Sequence, residues 1–338
     1  MKKIISSLLC LFLLPCFFLC SCGNKSEGQK FGMGIHSYYS SASSADADKN
    51  GGVTVLHTAA AVLIDKNGKI IDIDLDSAEC TGGFTADGRF AEAEKFLTKS
   101  ELGDSYAMSE YGTDRNGDGT VLEWYKQAEA FEDIAKGKTL DEIKALAAGS
   151  YGTDEVVKAG CTISVSDFIK AIEKAFINAK AFDGKAEEAE LGIVSAASSP
   201  ADASADKNGT NNIDTYFAAA IKDGSGKVTA LHIDCAEAEI KFDINGSAVT
   251  SVSDVIVTKN ELGADYGMSG YGTDRNGDGT VLEWFKQAEA FASACIGKTA
   301  AQIAGLIGSD GYAAPDVQSA GCTIYISDMA KAAVKAAE

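Results

Sequence analysis

The chain is poor in positive charge, proline and histidine. It has 30 Lys and Arg against 49 Asp and Glu, a formal net charge of −19. That deficit removes the basic footprint a nucleic-acid binder needs. It also removes electrostatic adhesion to anionic lipid, and it suits solubility on an exported surface. Three prolines in 338 residues leave no proline-rich linker. His36, His57 and His232 are widely spaced, form no ligand cluster and read as structural. There is no nucleophile elbow, no glycine-rich phosphate loop and no hydrolase triad, so no enzyme activity is expected. Of nine cysteines, Cys80, Cys161, Cys235, Cys295 and Cys322 lie beyond residue 22. Their odd number, wide spacing and lack of a Cys-x-x-Cys pair exclude a disulfide framework.

What is present begins with a processing signal. Lys2 and Lys3 precede an almost unbroken apolar run over residues 4–18. The run is too short for a comfortable membrane span and suits a secretory signal. Leu19-Cys20-Ser21-Cys22 resembles the lipobox of bacterial lipoproteins, in which the last cysteine is lipidated and becomes the N-terminus. The expectation is a signal peptide over 1–21, lipidation at Cys22 and a polar tether through residue 30. The protein would then sit lipid-anchored on the extracytoplasmic face of the cell membrane.

The rest of the chain is duplicated. Residues 111–124 read YGTDRNGDGTVLEW, and residues 271–284 read the same. Thr98-Lys99, Glu101-Leu102-Gly103 and Gly137-Lys138-Thr139 recur as Thr258-Lys259, Glu261-Leu262-Gly263 and Gly297-Lys298-Thr299. Ala159-Gly160-Cys161-Thr162-Ile163 recurs as Ala320-Gly321-Cys322-Thr323-Ile324. The period is far longer than solenoid repeats of roughly 20–50 residues, so two tandem homologous domains are expected, over 31–184 and 189–338. Residues 57–76 read as a hairpin, with 62–64 and 70–75 β-rich around the turn signal Asp65-Lys66-Asn67-Gly68. Asp223-Gly224-Ser225-Gly226 predicts its counterpart. Helices are predicted over 125–135, from Thr139 or Leu140, and from Ser166 and Ser327 to the end of each copy. Strands with separate helices indicate α+β domains, each a small antiparallel sheet with helices.

Two motifs invite chemistry. Asp114-Arg115-Asn116-Gly117-Asp118-Gly119 looks like the start of an EF-hand loop, with oxygen donors at positions 1, 3 and 5 and glycine at 6. Position 12 is Tyr125 rather than glutamate, and Phe285 in the second copy. The candidate calcium ligands are Asp114, Asn116 and Asp118, with Asp274, Asn276 and Asp278 in the repeat; the alternative is a metal-free turn. The second motif, around Cys161-Thr162 and Cys322-Thr323, offers a hydroxyl in a small-residue turn. Its alternative is a junction with a buried cysteine packed as a small hydrophobe.

The repeat unit resembles that of the flavin-bearing lipoproteins used for extracellular electron transfer in Gram-positive bacteria. The likeness covers nearly all the chain after Cys22. It rests on Thr-Lys-x-Glu-Leu-Gly-x-x-Tyr, Glu-Trp-aromatic-Lys-Gln-Ala-Glu-Ala, Gly-Lys-Thr and Cys-Thr-Ile-x-x-x-Asp, each present twice. In that family a flavin transferase joins FMN to a threonine hydroxyl through a phosphodiester. The resemblance therefore implies covalent FMN at Thr162 and Thr323. It also implies a membrane electron donor such as a quinol-linked dehydrogenase, and extracellular acceptors. Cys161 and Cys322 stand where the family's attachment motif has alanine, and Ala159 and Ala320 where it has Ser or Thr. Trp124, Trp284, Tyr111 and Tyr271 are candidates to pack on the flavin ring, against a competing role as helix anchors. The other functional reading is a non-redox cell-surface binding lipoprotein stabilised by calcium.

Overall fold

A computed structural model describes residues 25–92, 95–277 and 279–338. The expected signal peptide, Cys22 and Asp278 lie outside the described residues. In the first half, β1 (Lys25–Ser43), β2 (Gly51–Ile64) and β3 (Ile70–Phe84) form an antiparallel meander, edged by β4 (Phe90–Ala91). There follow α1 (Lys99–Leu102), α2 (Met108–Tyr111), α3 (Trp124–Ala135), α4 (Leu140–Lys144), the small β5 (Ala147–Ala148) and β6 (Tyr151–Gly152) pair, α5 (Asp154–Lys158) and α6 (Ser166–Asn178). β7 (Lys180–Asp183) then returns to pair with β1.

The second half runs β8 (Glu190–Ala201), β9 (Gly209–Lys222), β10 (Val228–Ala238), β11 (Lys241–Phe242), α7 (Lys259–Leu262), α8 (Trp284–Cys295), α9 (Ala300–Ala304), α10 (Pro315–Ser319) and α11 (Ser327–Ala337). β9 pairs antiparallel with β8, β10 and β11. The α+β class is as the sequence indicates. The hairpin forms with its turn as predicted and extends beyond it at both ends, to Gly51 and Phe84, and β1 begins inside the stretch read as tether.

The two sheets lie face to face, with helices on both outer sides. Three apolar layers result. One lies between the sheets and draws Phe31, Ile35, Val55 and Phe84 from the first half and Ile193, Ile213, Phe217 and Phe242 from the second. The other two lie under the helices, one in each half. This explains the run from Ala59 to Ile64, buried at every position. Strands covered on both faces lose the alternation of a half-exposed strand. The ranges 31–184 and 189–338 thus share a core rather than each closing on its own.

The halves meet about a pseudo-two-fold axis. Ser37 pairs in register with His57 across β1 and β2, as Ser195 does with Thr215 across β8 and β9. These four side chains form one hydrogen-bonded chain, buried except at Ser195. Ser37 Oγ lies 2.7 Å from His57 Nδ1, His57 Nε2 3.1 Å from Thr215 Oγ1, and Thr215 Oγ1 2.9 Å from Ser195 Oγ. Burial pushes His57 down to about 3, so the ring is neutral there. Two ion pairs repeat the symmetry at the rim: Lys335 Nζ donates to Glu101 at 2.6 Å, and Lys174 meets Glu261.

Candidate functional site

The turn that presents Thr162 is set by Gly160. Its φ of 109° is a left-handed conformation that favours glycine, and a Cβ there would meet Leu122 Cδ1 at 3.0 Å. Gly321 repeats this with φ of 110°. Cys161 follows, fully buried, its thiol pushed by burial up to about 12. It packs as a small hydrophobe. Thr162 is 7 % exposed; its N–H and its hydroxyl both donate to Gln127 Oε1, at 2.8 and 2.9 Å. Gln127 is buried on the inward stripe of α3 between Trp124 and Phe131, and its Nε2 donates to Leu122 O at 2.7 Å. The amide therefore fixes the threonine and is itself satisfied.

Thr162 lies on the wall of a cavity of about 630 Å³, within the roughly 300–1,000 Å³ usual for small-molecule sites. Trp124, Met108, Ile163 and Phe168 give it apolar walls. Arg115, from the Asp114 loop, lines it with its guanidinium 3.7 Å from the Tyr151 ring centre. Lys99, at the start of α1, also lines it. A capping box between Thr98 and Glu101 holds that helix start. Ser253 and Val255 complete the wall from the second half. Their turn-containing segment is tied to β1 by Ser253 N–H to Tyr39 O at 2.8 Å and Ile256 N–H to Ser37 O at 2.9 Å.

One side of the cavity carries a titratable network. Lys170 Nζ donates to His36 Nε2 and to Asp167 Oδ1, both at 3.2 Å, and Tyr38 Oη donates to Asp167 Oδ2 at 3.1 Å. Burial, then the Lys170 ammonium, hold His36 below the usual histidine range, with Asp167 opposing. Burial and the Asp167 charge push Tyr38 up to about 12.

Most of the arrangement recurs. Thr323 donates from N–H and hydroxyl to Gln287 Oε1 at 2.8 and 3.0 Å, and Gln287 Nε2 donates to Leu282 O at 2.8 Å. Arg275 stands 3.6 Å from the Tyr312 ring centre. Of the titratable network only the helix pair recurs, as Lys331 Nζ to Asp328 Oδ1 at 2.8 Å, because Val194 and Ala196 hold the strand positions of His36 and Tyr38.

The sequence-based expectations divide here. Trp124 and Trp284 are buried helix anchors, and Trp124 also forms a cavity wall. Tyr111 and Tyr271 stand on the surface, 61 % and 63 % exposed, edge-on to Tyr106 and Tyr266 rather than against Thr162. Asp114 accepts from Gly117 N at 2.7 Å and Gly119 N at 2.9 Å, and Asp274 accepts from Gly277 N and Gly279 N likewise. Asn116 donates to Asp118, which accepts from Thr120 N–H. Among the described residues no group of three or more Asp, Glu, His or Cys side chains is placed to hold a metal ion. His57 and His232 are structural, the latter 3.1 Å from Phe31 O. His36 instead belongs to the cavity, and sequence reasoning missed it. It also missed Gln127 and Lys99. The available signal for Gln127 was a polar residue on an otherwise apolar helix stripe, copied as Gln287. No helix among the described residues is long and apolar enough to cross a membrane. No protein-family model matches the chain, and no curated protein or solved structure does either.

Proposed function

We propose that the protein is a lipid-anchored extracytoplasmic electron carrier holding one FMN in each half, esterified to Thr162 and to Thr323. The observation that carries this reading is the Thr162 hydroxyl, fixed by Gln127 on the wall of a cavity of flavin-like size. The donor set fits the group. Trp124, Met108 and Phe168 offer apolar surface to a flat ring, and Arg115, Lys99 and Lys170 offer cations to its phosphate and reducible face. Gln127 accepts the hydroxyl hydrogen bond, so that contact does not use the lone pairs of the threonine oxygen. After esterification the Thr162 N–H still donates to Gln127, and the attachment point stays fixed. When bound, FMN supplies reversible electron transfer; the chain supplies position, burial and charge.

The test is the intact mass of the exported protein produced with a flavin transferase. The expected product is yellow and carries two FMN increments, one lost in Thr162→Val and the other in Thr323→Val. Colourless protein with unmodified peptides overturns the reading.

A further inference from the structure

Lysine is seldom buried, because an ammonium taken out of water must be compensated by a close partner. Lys99 and Lys259 are nevertheless 8 % and 5 % exposed. Their carboxylate partners, Glu79 at 3.4 Å and Glu237 at 2.8 Å, are 45 % and 43 % exposed. Water therefore screens the compensation. Each ammonium also stands over a tyrosine and a tryptophan: Tyr106 at 4.9 Å and Trp124 at 5.7 Å, then Tyr266 at 4.9 Å and Trp284 at 5.2 Å. A purely packing role would be met by a methionine, which fills the same space and also touches rings favourably. What methionine lacks is a positive charge, and Lys99 holds one on the wall of the cavity that contains Thr162.

We propose that Lys99 sets the midpoint potential of the flavin attached at Thr162, and that Lys259 does so at Thr323. The inference rests on the flavin reading of the same site. A buried ammonium stabilises whichever oxidation state of a neighbour carries more negative charge. Reduction with fewer protons than electrons taken up leaves the ring more negative, so the lysine favours the reduced form and raises the potential. Glu79, beside Lys99, offsets part of that effect.

The test uses the full exported protein carrying Thr323→Val, so that only the first site reports. Midpoints are read by spectroelectrochemical titration at an electrode, and attachment is checked by FMN mass on the Thr162 peptide. Lys99→Met is expected to shift the equilibrium about tenfold toward the oxidised form, a midpoint ~30 mV more negative for a two-electron couple. Lys99→Arg keeps the charge and is expected to keep the midpoint. Lys99→Gln also removes the charge but keeps a polar end that Glu79 can accept from; it is expected to lower the midpoint likewise, which tests the proposal even where Lys99→Met does not fold. An unmoved midpoint in a folded, flavin-loaded Lys99→Met or Lys99→Gln overturns the proposal. Absence of FMN from the parent protein overturns the flavin reading instead.

Discussion

Two neighbouring carboxylates, Asp74 at the joint between the halves and Glu132 beside it on α3, show how single side chains set the stability of this molecule. Asp74 Oδ2 accepts from Leu191 N–H and Glu132 Oε1 from Leu75 N–H, each at 2.7 Å. Burial raises Asp74 to about 7, with the charges of Asp76, Glu190 and Asp72 adding to it. Burial, then the Asp74 charge, raises Glu132 to about 8, while Lys136 opposes. Both are ordinary carboxylates in the unfolded chain, so the folded state keeps protons that the unfolded state has lost. Their contribution is therefore fullest below about pH 4, declines as pH rises through 7 and 8, and stays flat above. Glu132→Gln keeps the acceptor for Leu75 and removes the titration. It is expected to raise stability at pH 8 by roughly 1–3 kcal/mol, with little effect at pH 4. Urea unfolding at the two values checks this; an equal shift at both would assign the effect to packing rather than protonation.

At the scale of elements, the seating of α6 on β1 depends on an absent side chain. A Cβ on Gly34 would lie 2.1 Å from Ala171 O and 2.3 Å from Ala175 N, and one on Gly192 would lie 2.1 Å from Ala332 O. Backbone atoms cannot give way as a flexible side chain does, so the helix must move. Gly34→Ala is expected to cost roughly 1–3 kcal/mol, as overpacking of a closed core does, read as a lowered urea midpoint. Gly68→Ala, in a turn with open space around it, should cost less and through backbone strain alone. The same elements show what the sequence revealed and what it hid. The β2–β3 turn was legible because Asp65 turns its carboxylate onto the N–H groups of Asn67 and Lys69. The final helices were legible because Phe168, Ile172 and their neighbours recur at helical spacing. β1 was not, because its small, polar-looking stretch is buried by elements distant in sequence: its glycines by α6, and Ser37 and Tyr39 by the segment around Ser253 and Ile256. In the site, Thr162 and Thr323 were reached by resemblance, and their shared turn by the repeat itself. Gln127 and Lys99 escaped because their meaning depends on burial, which local pattern does not report. His36 escaped because it lies far in sequence from the Thr162 turn and has no counterpart in the other copy.

At the scale of the whole molecule, duplication has produced two sites that share a framework and differ in charge. Each half supplies the threonine, the glutamine, the buried lysine, the tryptophan and the ring-stacked arginine. Only the first adds His36 and Tyr38, joined to Asp167 and Lys170; the second has Val194 and Ala196 there. The groups acting on His36 include Lys170, Asp167, Lys174 and Glu261, the last reaching across from the second half. The shared inter-sheet core and the Lys174–Glu261 pair join the first site's last helix to the second half, as Lys335–Glu101 joins the second's to the first. If each site holds a flavin, the two midpoints should differ. Protonation of His36 adds positive charge beside the first site, and its depressed affinity for protons places that change on the acid side of 6.5. The midpoint of protein loaded only at Thr162 should then climb more steeply, as pH falls below 6.5, than that of protein loaded only at Thr323. His36→Val should bring the two slopes together. Parallel slopes in the two singly loaded proteins, with His36→Val changing neither, would mean that the network serves only to hold α6 against β1.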